Sequence, residues 1–141
     1  EVIFPVHPRV REAIPAVLKN LGGSGLEPLA PIHAVEPLEY LSFIALMDKA
    51  EIVLTDSGGV QEETTALGVP CLTIRENTER PITVEMGTNT LVGTDEERIV
   101  AAGRRALTGG RKKGLRPPLW DGRAGERAAR LLVERTLEAR K

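Results

Sequence analysis

The sequence predicts an α/β fold: a doubly wound parallel sheet with helices on both faces. Short apolar runs of strand length alternate with stretches of helical pattern along the whole chain. One of those runs, "IVLTD" (52–56), is continuously apolar, as a strand buried on both faces should be. No internal repeat or low-complexity segment interrupts the alternation.

The elements follow in order. "VIFPV" (2–6) reads as a strand, and a helix over 9–21 ends at Gly22-Gly23, a C-cap signal. "APIHAV" (30–35) is the second strand. Pro37 opens the helix "PLEYLSFIALMDKA" at its favoured first position. The strand at 52–56 leads into a short helix over 59–67 that stops at Gly68, and "PCLTI" (70–74) is the fourth strand. The polar loop "RENTERP" (75–81) becomes a short helix at Pro81, which ends at Gly87. "NTLVG" (89–93) is the fifth strand, and Asp95 caps a helix to 107. After the loop "GGRKKGLRPP", "DGRAGERAARLLVERTLEAR" closes the chain as a long helix.

The 141 residues suit a single domain over 1–141, long enough to bury a core. The first residue is Glu rather than Met, and "EVIFPV" reads as a strand already under way, so we expect a piece of a longer protein. An apolar fraction of 41% with 28% charged residues describes a globular chain and argues against disorder. Apolar runs are too short for a membrane span, and no membrane partner is expected. A lone cysteine, Cys71, excludes an internal disulfide and a cysteine metal site, fits a reducing cytoplasm, and reads as a small apolar filler.

Charge is unevenly spread. Residues 1–103 hold seven Lys/Arg against sixteen Asp/Glu, and residues 104–141 hold twelve against four. The basic tail is scattered along an amphipathic helix with almost no aromatics for base stacking, so a solvated face is expected and no nucleic-acid partner. Trp120 is expected to anchor this terminal segment.

The stretch "LTDSGGVQEET" (54–64) carries the chemistry. In such sheets ligands bind beyond the carboxyl ends of strands, and Ser57-Gly58-Gly59 stands at that edge. Glycines let a backbone approach a ligand without a Cβ, and the first amides of the next helix lack carbonyl partners. Together with the helix dipole they make an anion site, most naturally for phosphate. The same residues also read as a capped turn, with Ser57 as N-cap and the glycines permitting a tight bend. Asp56 is expected to support that turn. Glu62 reads as an exposed carboxylate near a helix start. Glu63, roughly 9 Å along from Ser57 at about 1.5 Å of rise per residue, suits ribose hydroxyls as the acidic residue of dinucleotide folds does.

Read as one block, "LTDSGGVQEETTALGVPCLTIRENTERPITVEMGTNTLVG" resembles the C-terminal domain of the non-hydrolysing UDP-N-acetylglucosamine 2-epimerases. Their T-D-S-G-G-hydrophobic-Q-E-E, L-G-x-P, R-x-x-T-E-R-P and G-T motifs occur here in order and at matching spacing. "PVHP", "EPLEYLSFIALM" and "WDGRAGERAARLL" carry the likeness over nearly the whole chain. The resemblance implies the C-terminal, nucleotide-binding half of a Rossmann-like, GT-B-like two-domain fold. It implies conversion of UDP-GlcNAc to UDP-ManNAc by anti elimination of UDP, a 2-acetamidoglucal intermediate and re-addition, with no cofactor and no metal. The implied setting is cytoplasmic polysaccharide biosynthesis by a homodimer. The acid/base groups acting at C2 would lie in an N-terminal domain outside this chain, so the chain alone is expected to bind UDP and not to turn over.

Carried onto this sequence, the resemblance gives the diphosphate to Ser57, Gly58 and Gly59, the ribose to Glu63, phosphate pairing to Arg80, and the uracil face to Phe43. It makes His7 a catalytic group donating to the departing UDP, and His33 a member of a second, allosteric UDP-GlcNAc site. Each has an ordinary alternative: an ion pair with Glu76 or Glu79 for Arg80, core packing beside Leu46 and Met47 for Phe43, a structural histidine for His7. "PVHPRVRE" lacks the Asn-Pro-type insertion many bacterial members carry, which puts the adjoining loop in question. The resemblance implies a last helix that packs back across the partner domain, so in this chain alone its apolar face, Leu131, Leu132 and Leu137, is expected to be exposed or to drive association. Two other functions compete with the epimerase reading. One is an enzyme on the same scaffold, a 2-epimerase for a modified UDP-sugar or a GT-B glycosyltransferase. The other is a non-catalytic UDP-sugar-binding regulatory module.

Overall fold

The computed structural model describes residues 1–12 and 32–138, in two compact units, Glu1–Ala45 and Leu46–Lys141. In the first, β1 (Val2–Pro5) pairs in parallel with β2 (Ile32–Val35), Val2 opposite Ile32 and Pro5 opposite Val35. The ladder is prolonged by the Val6 amide donating to the Val35 carbonyl at 2.9 Å. α1 (Pro8–Arg11) starts on His7, with Pro8 at the first helical position, where its missing N–H costs nothing. Most of the helix expected over 9–21, its Gly22-Gly23 stop, and residues 30–31 of the second strand lie outside the described residues.

α2 (Tyr40–Asp48) starts three residues later than Pro37 would have it. Residues 36–39 have no regular structure, and the Phe43 amide donates to the Glu39 carbonyl at 2.9 Å, which opens the first turn there. A proline fixes its own φ but supplies no donor, so it does not by itself decide where the helix ladder starts.

The second unit holds a three-stranded parallel sheet in the order β3 (Val53–Thr55), β4 (Cys71–Thr73), β5 (Asn89–Leu91). Each unit thus carries its own parallel ladder, two-stranded in the first and three-stranded in the second. Crossovers run through α3 (Gly58–Leu67) and α4 (Pro81–Glu85). α5 (Glu96–Leu107) and α6 (Ala124–Glu138) follow.

α3 ends at Gly68, whose φ of 77° is left-handed, and the Val69 amide reaches back to the Thr64 carbonyl at 2.9 Å. This is the glycine stop read from the sequence. In β3, Leu54 is 50% exposed while Val53 and Thr55 are half-buried.

Side chains alternate across β4. Thr73 donates to Asn89, which in turn donates to Gln61 of α3, whereas Leu72 lies with Ala102 and Ala106 of α5 around a cavity of about 40 Å³, so helices cover both faces of this sheet. Cys71 is buried, and burial pushes its thiol pKa up, which is the inert filler expected. Gly87 is dictated by packing, since a Cβ there would come 2.4 Å from Thr65 Oγ1. Trp120 is half-buried, its amide donating to the Pro117 carbonyl at 3.2 Å. On α6, Leu131, Leu132 and Leu137 are exposed. No described helix is long and apolar enough to cross a membrane.

Candidate functional site

The site is built where β3 runs out into α3. The Ser57 backbone takes the extended N-cap conformation, φ −82° and ψ 130°, and its carbonyl accepts the first intrahelical bond from the Gln61 amide at 3.3 Å. The side chain does not follow suit: the Ser57 hydroxyl makes no capping hydrogen bond. The Ser57 amide donates to Thr55 Oγ1 at 3.0 Å, so Thr55, and not the exposed Asp56, secures the turn. The amides of Gly58, Gly59 and Val60 precede the first intrahelical donor, as the first turn of any helix requires.

The two glycines have no internal reason to be there. Neither has a positive φ. A Cβ on Gly58 would meet nothing nearer than Arg80 Cγ and Nε at 3.9 Å, and one on Gly59 nothing nearer than Ser57 Oγ at 3.9 Å, both ordinary contacts. Glycine in a helix costs roughly 0.5–1 kcal/mol relative to alanine, the low end applying at a helix start. That cost without steric or conformational need is what a backbone reserved for close approach by a ligand looks like. The capped-turn alternative asks for a capping hydroxyl and a bend only glycine can make, and this turn has neither.

Arg80 supplies the cation. It is the residue before α4, φ −121° and ψ 56°, and its side chain runs beside Gly58. Its Nε stands 3.1 Å from Glu62 Oε1, though the N–H is not aligned on that oxygen, and Nη1 makes one long contact of 3.5 Å to the Glu79 carbonyl. Glu62 is thus Arg80's ion-pair partner, not a bystander. The carboxylates first set against Arg80 are engaged elsewhere. Glu79 is bound by both oxygens to Arg75 Nη1, and its own backbone amide and that guanidinium hold its pKa below the usual carboxylate range. Glu76 accepts from the Thr94 amide at 3.3 Å. Side chains on both sides of the Arg80–Glu62 pair are 43% and 42% exposed, so the pair contributes on the order of 0–1 kcal/mol and leaves Arg80 open to exchange partners.

Ser57, Gly58, Gly59 and Arg80 are therefore gathered at one strand end of the second unit. Glu63 is half-buried on the same helix. His7, His33 and Phe43 belong to the first unit. His7 Nδ1 accepts from the Arg9 amide at 3.2 Å, which assigns the proton of the neutral ring to Nε2. Phe43 is half-buried in α2, Met47 is buried, and Leu46 half-buried. His33 is exposed on β2, its Nε2 3.9 Å from Glu1 Oε1, an ion pair only when the ring is protonated. Among the described residues no group of His, Cys, Asp and Glu is arranged to hold a metal ion.

Sequence reasoning missed the interior behind the site. Gln61, Thr73, Thr83 and Asn89 are fully buried; Gln61, Thr83 and Asn89, with Thr78, form a closed hydrogen-bond ring through the Arg80 backbone, and Thr73 attaches to it at Asn89. Asn89 Nδ2 donates to Gln61 Oε1 at 3.0 Å and to Thr83 Oγ1 at 3.1 Å. Thr83 Oγ1 donates to the Arg80 carbonyl at 2.7 Å. The Arg80 amide donates to Thr78 Oγ1 at 3.0 Å, and Thr78 Oγ1 donates to Gln61 Oε1 at 2.6 Å. Thr73 Oγ1 donates to Asn89 Oδ1 at 2.7 Å, fixing which end of that amide is which. A signal was present: Gln61, Thr64 and Thr65 recur at helical spacing beside Val60, a polar stripe on what proves to be the buried face of α3.

Comparison with known proteins identifies one family throughout. The sequence profile of a family described as UDP-N-acetylglucosamine 2-epimerase matches residues 1–133. The UDP-N-acetylglucosamine 2-epimerase of Methanocaldococcus jannaschii is 44% identical over 132 residues, 94% of this chain and 35% of that protein. The UDP-N-acetylglucosamine 2-epimerase of Escherichia coli K12 is 43% identical over 109 residues, 76% of this chain and 27% of that one. The structure of the M. jannaschii UDP-GlcNAc 2-epimerase in complex with UDP-GlcNAc and UDP matches with a TM-score of 0.75 at 42% identity, covering 94% of this chain and 35% of that chain. The Neisseria meningitidis UDP-GlcNAc 2-epimerase bound to UDP-GlcNAc matches with a TM-score of 0.64 at 36% identity, over 77% of this chain and 28% of that chain. These likenesses and the two parallel sheets give the α/β, GT-B-like fold class expected. The chain spans 35% of the length of the M. jannaschii relative, about a third.

Proposed function

The chain belongs to the UDP-N-acetylglucosamine 2-epimerase family, and on that premise we propose that it is the UDP-binding, C-terminal half of an enzyme interconverting UDP-GlcNAc and UDP-ManNAc. The observation that carries the proposal is the unoccluded start of α3: two glycines that packing does not require, a serine hydroxyl not used for capping, and Arg80 alongside.

In this reading Ser57, Gly58 and Gly59 receive the diphosphate. Arg80 neutralises the charge that grows on UDP as the bond to the sugar breaks, which places its stabilisation where it lowers the barrier. Glu63 accepts from the ribose hydroxyls, Phe43 lies against the uracil, and His7 acts as the catalytic donor to the departing UDP, its Nε2 proton being the one left for that role. His33 belongs to a second, allosteric nucleotide-sugar site. The whole protein is a cytoplasmic homodimer acting without cofactor or metal, and its N-terminal domain supplies the groups that move the proton at C2.

Calorimetric titration of the chain with UDP, UDP-GlcNAc and UDP-glucuronate tests this. UDP and UDP-GlcNAc are expected to bind, and Arg80→Ala to weaken both by about ten- to a hundredfold, the range of a lost charge-assisted contact. The chain alone is expected to show no epimerase turnover. Conversion of UDP-GlcNAc by the isolated chain, or UDP affinity unchanged in Arg80→Ala, contradicts the proposal.

A further inference from the structure

The closed ring behind Arg80 is a costly thing to build from buried polar groups. Gln61, Thr83 and Asn89 are each 0% exposed, in positions where apolar side chains of similar size would fill the core without any hydrogen-bond requirement. The hydroxyl and Asn89 donors of the ring each have one assignment, whereas Gln61, which accepts twice at Oε1, leaves its buried Nε2 without a partner. Asn89 spends both its Nδ2 protons on Gln61 and Thr83, each threonine hydroxyl donates once, and the circuit closes only through the amide and carbonyl of Arg80. The ring ties α3, the loop before α4, α4 and β5 to a single residue. It therefore fixes the backbone from which the Arg80 side chain departs, on both sides of its Cα. That departure point sets the side chain 3.9 Å from where a Gly58 Cβ would be, beside the first amides of α3.

We infer that Thr78, Thr83, Gln61 and Asn89 are positioning residues for Arg80, aiming its guanidinium at the anion held by the start of α3. The inference rests on the reading of that helix start as a diphosphate site. Preorganised charge is worth more than mobile charge, because no ordering entropy is spent when the anion arrives or when its charge grows. A half-exposed arginine held by its pair with Glu62 and one long contact to the Glu79 carbonyl would otherwise sample many rotamers. The ring removes the backbone share of that freedom while the head group remains able to exchange Glu62 for a phosphate oxygen.

The experiment is a double-mutant cycle on the 141-residue chain, reading UDP affinity by calorimetry and the melting temperature in parallel. Thr78→Val removes the acceptor of the Arg80 amide, and Thr83→Val the donor to its carbonyl. Each is expected to weaken UDP about three- to tenfold in the wild-type background and to have no further effect on UDP once Arg80→Ala is present. Uridine affinity is expected not to change, since it has no phosphate for Arg80 to meet. Thr78→Ser, which keeps the hydroxyl, restores wild-type affinity. A purely structural ring predicts otherwise: a lower melting temperature, with UDP affinity untouched or lost equally in both backgrounds. Either of those results in a folded variant overturns the inference while leaving the diphosphate site standing. Failure of the wild-type chain to bind UDP removes the site and the inference together.

Discussion

Two helix starts in the second unit make opposite use of the same unpaired amides. α5 begins on Asp95, whose carboxylate accepts from the Arg98 amide at 2.9 Å, and Glu96 and Glu97 follow in its first turn. Its own chain supplies the negative charge that the helix dipole favours, and the start is closed. α3 begins on Ser57, whose hydroxyl does not cap, continues through two glycines, and has no acidic residue in its first turn. Instead a cation, Arg80, stands at Gly58. One start is finished within the protein, and the other has the form of a place that something anionic finishes. On the proposed reading, local stability given up at a helix end is the physical trace of the binding site, more than any single residue type.

Exchanging the caps breaks the comparison most sharply. Asp95→Ala is expected to cost about 1 kcal/mol of stability in denaturant unfolding and to leave UDP affinity alone. Ser57→Ala is expected to do the reverse, costing under about 0.5 kcal/mol because no capping bond is lost, while weakening UDP several-fold. A next, smaller effect is expected from Gly59→Ala. It should stabilise the chain by roughly 0.5 kcal/mol, since alanine favours the helix and meets only ordinary contacts, yet lower UDP affinity by placing a Cβ where the diphosphate lies. A stabilised variant with undiminished binding would remove the argument that these glycines serve a ligand. The smallest effect is expected from Glu62→Gln. The pair is nearly half exposed, so stability should change by less than about 1 kcal/mol, and UDP should bind slightly tighter as the competing carboxylate becomes neutral.

What could be read from the sequence was what neighbouring residues decide among themselves. Gly68 as a stop, Pro81 as a helix opener, Asp95 as a cap and Cys71 as filler each depend on a few adjacent positions, and each is found as expected. Pro37 misled because a favourable first position is not a donor, and the ladder of α2 begins at Glu39 instead. The strand order β3, β4, β5 was beyond local reading, since it follows from pairing across long crossovers. At the site, the motif order pointed to Ser57, Gly58, Gly59 and Arg80, and the structure brings these four together.

The ring did not show because its partners are 28 residues apart for Gln61 and Asn89 and 17 for Gln61 and Thr78. Threonine and asparagine in a strand look like surface positions until their hydrogen bonds are seen. Glu62 was set aside for the same reason: its pairing with Arg80 is decided by a fold that returns α4 to the start of α3.

The central claim, that the first turn of α3 is a diphosphate site, is tested most directly by following backbone amide resonances while titrating UDP and then uridine. The account predicts that UDP shifts the amides of Gly58, Gly59 and Val60, that uridine leaves them in place, and that the amides of Glu96, Glu97 and Arg98 at the closed start of α5 respond to neither. Shifts at Gly58 and Gly59 of equal size with uridine, or shifts with UDP that bypass α3 altogether, would contradict it.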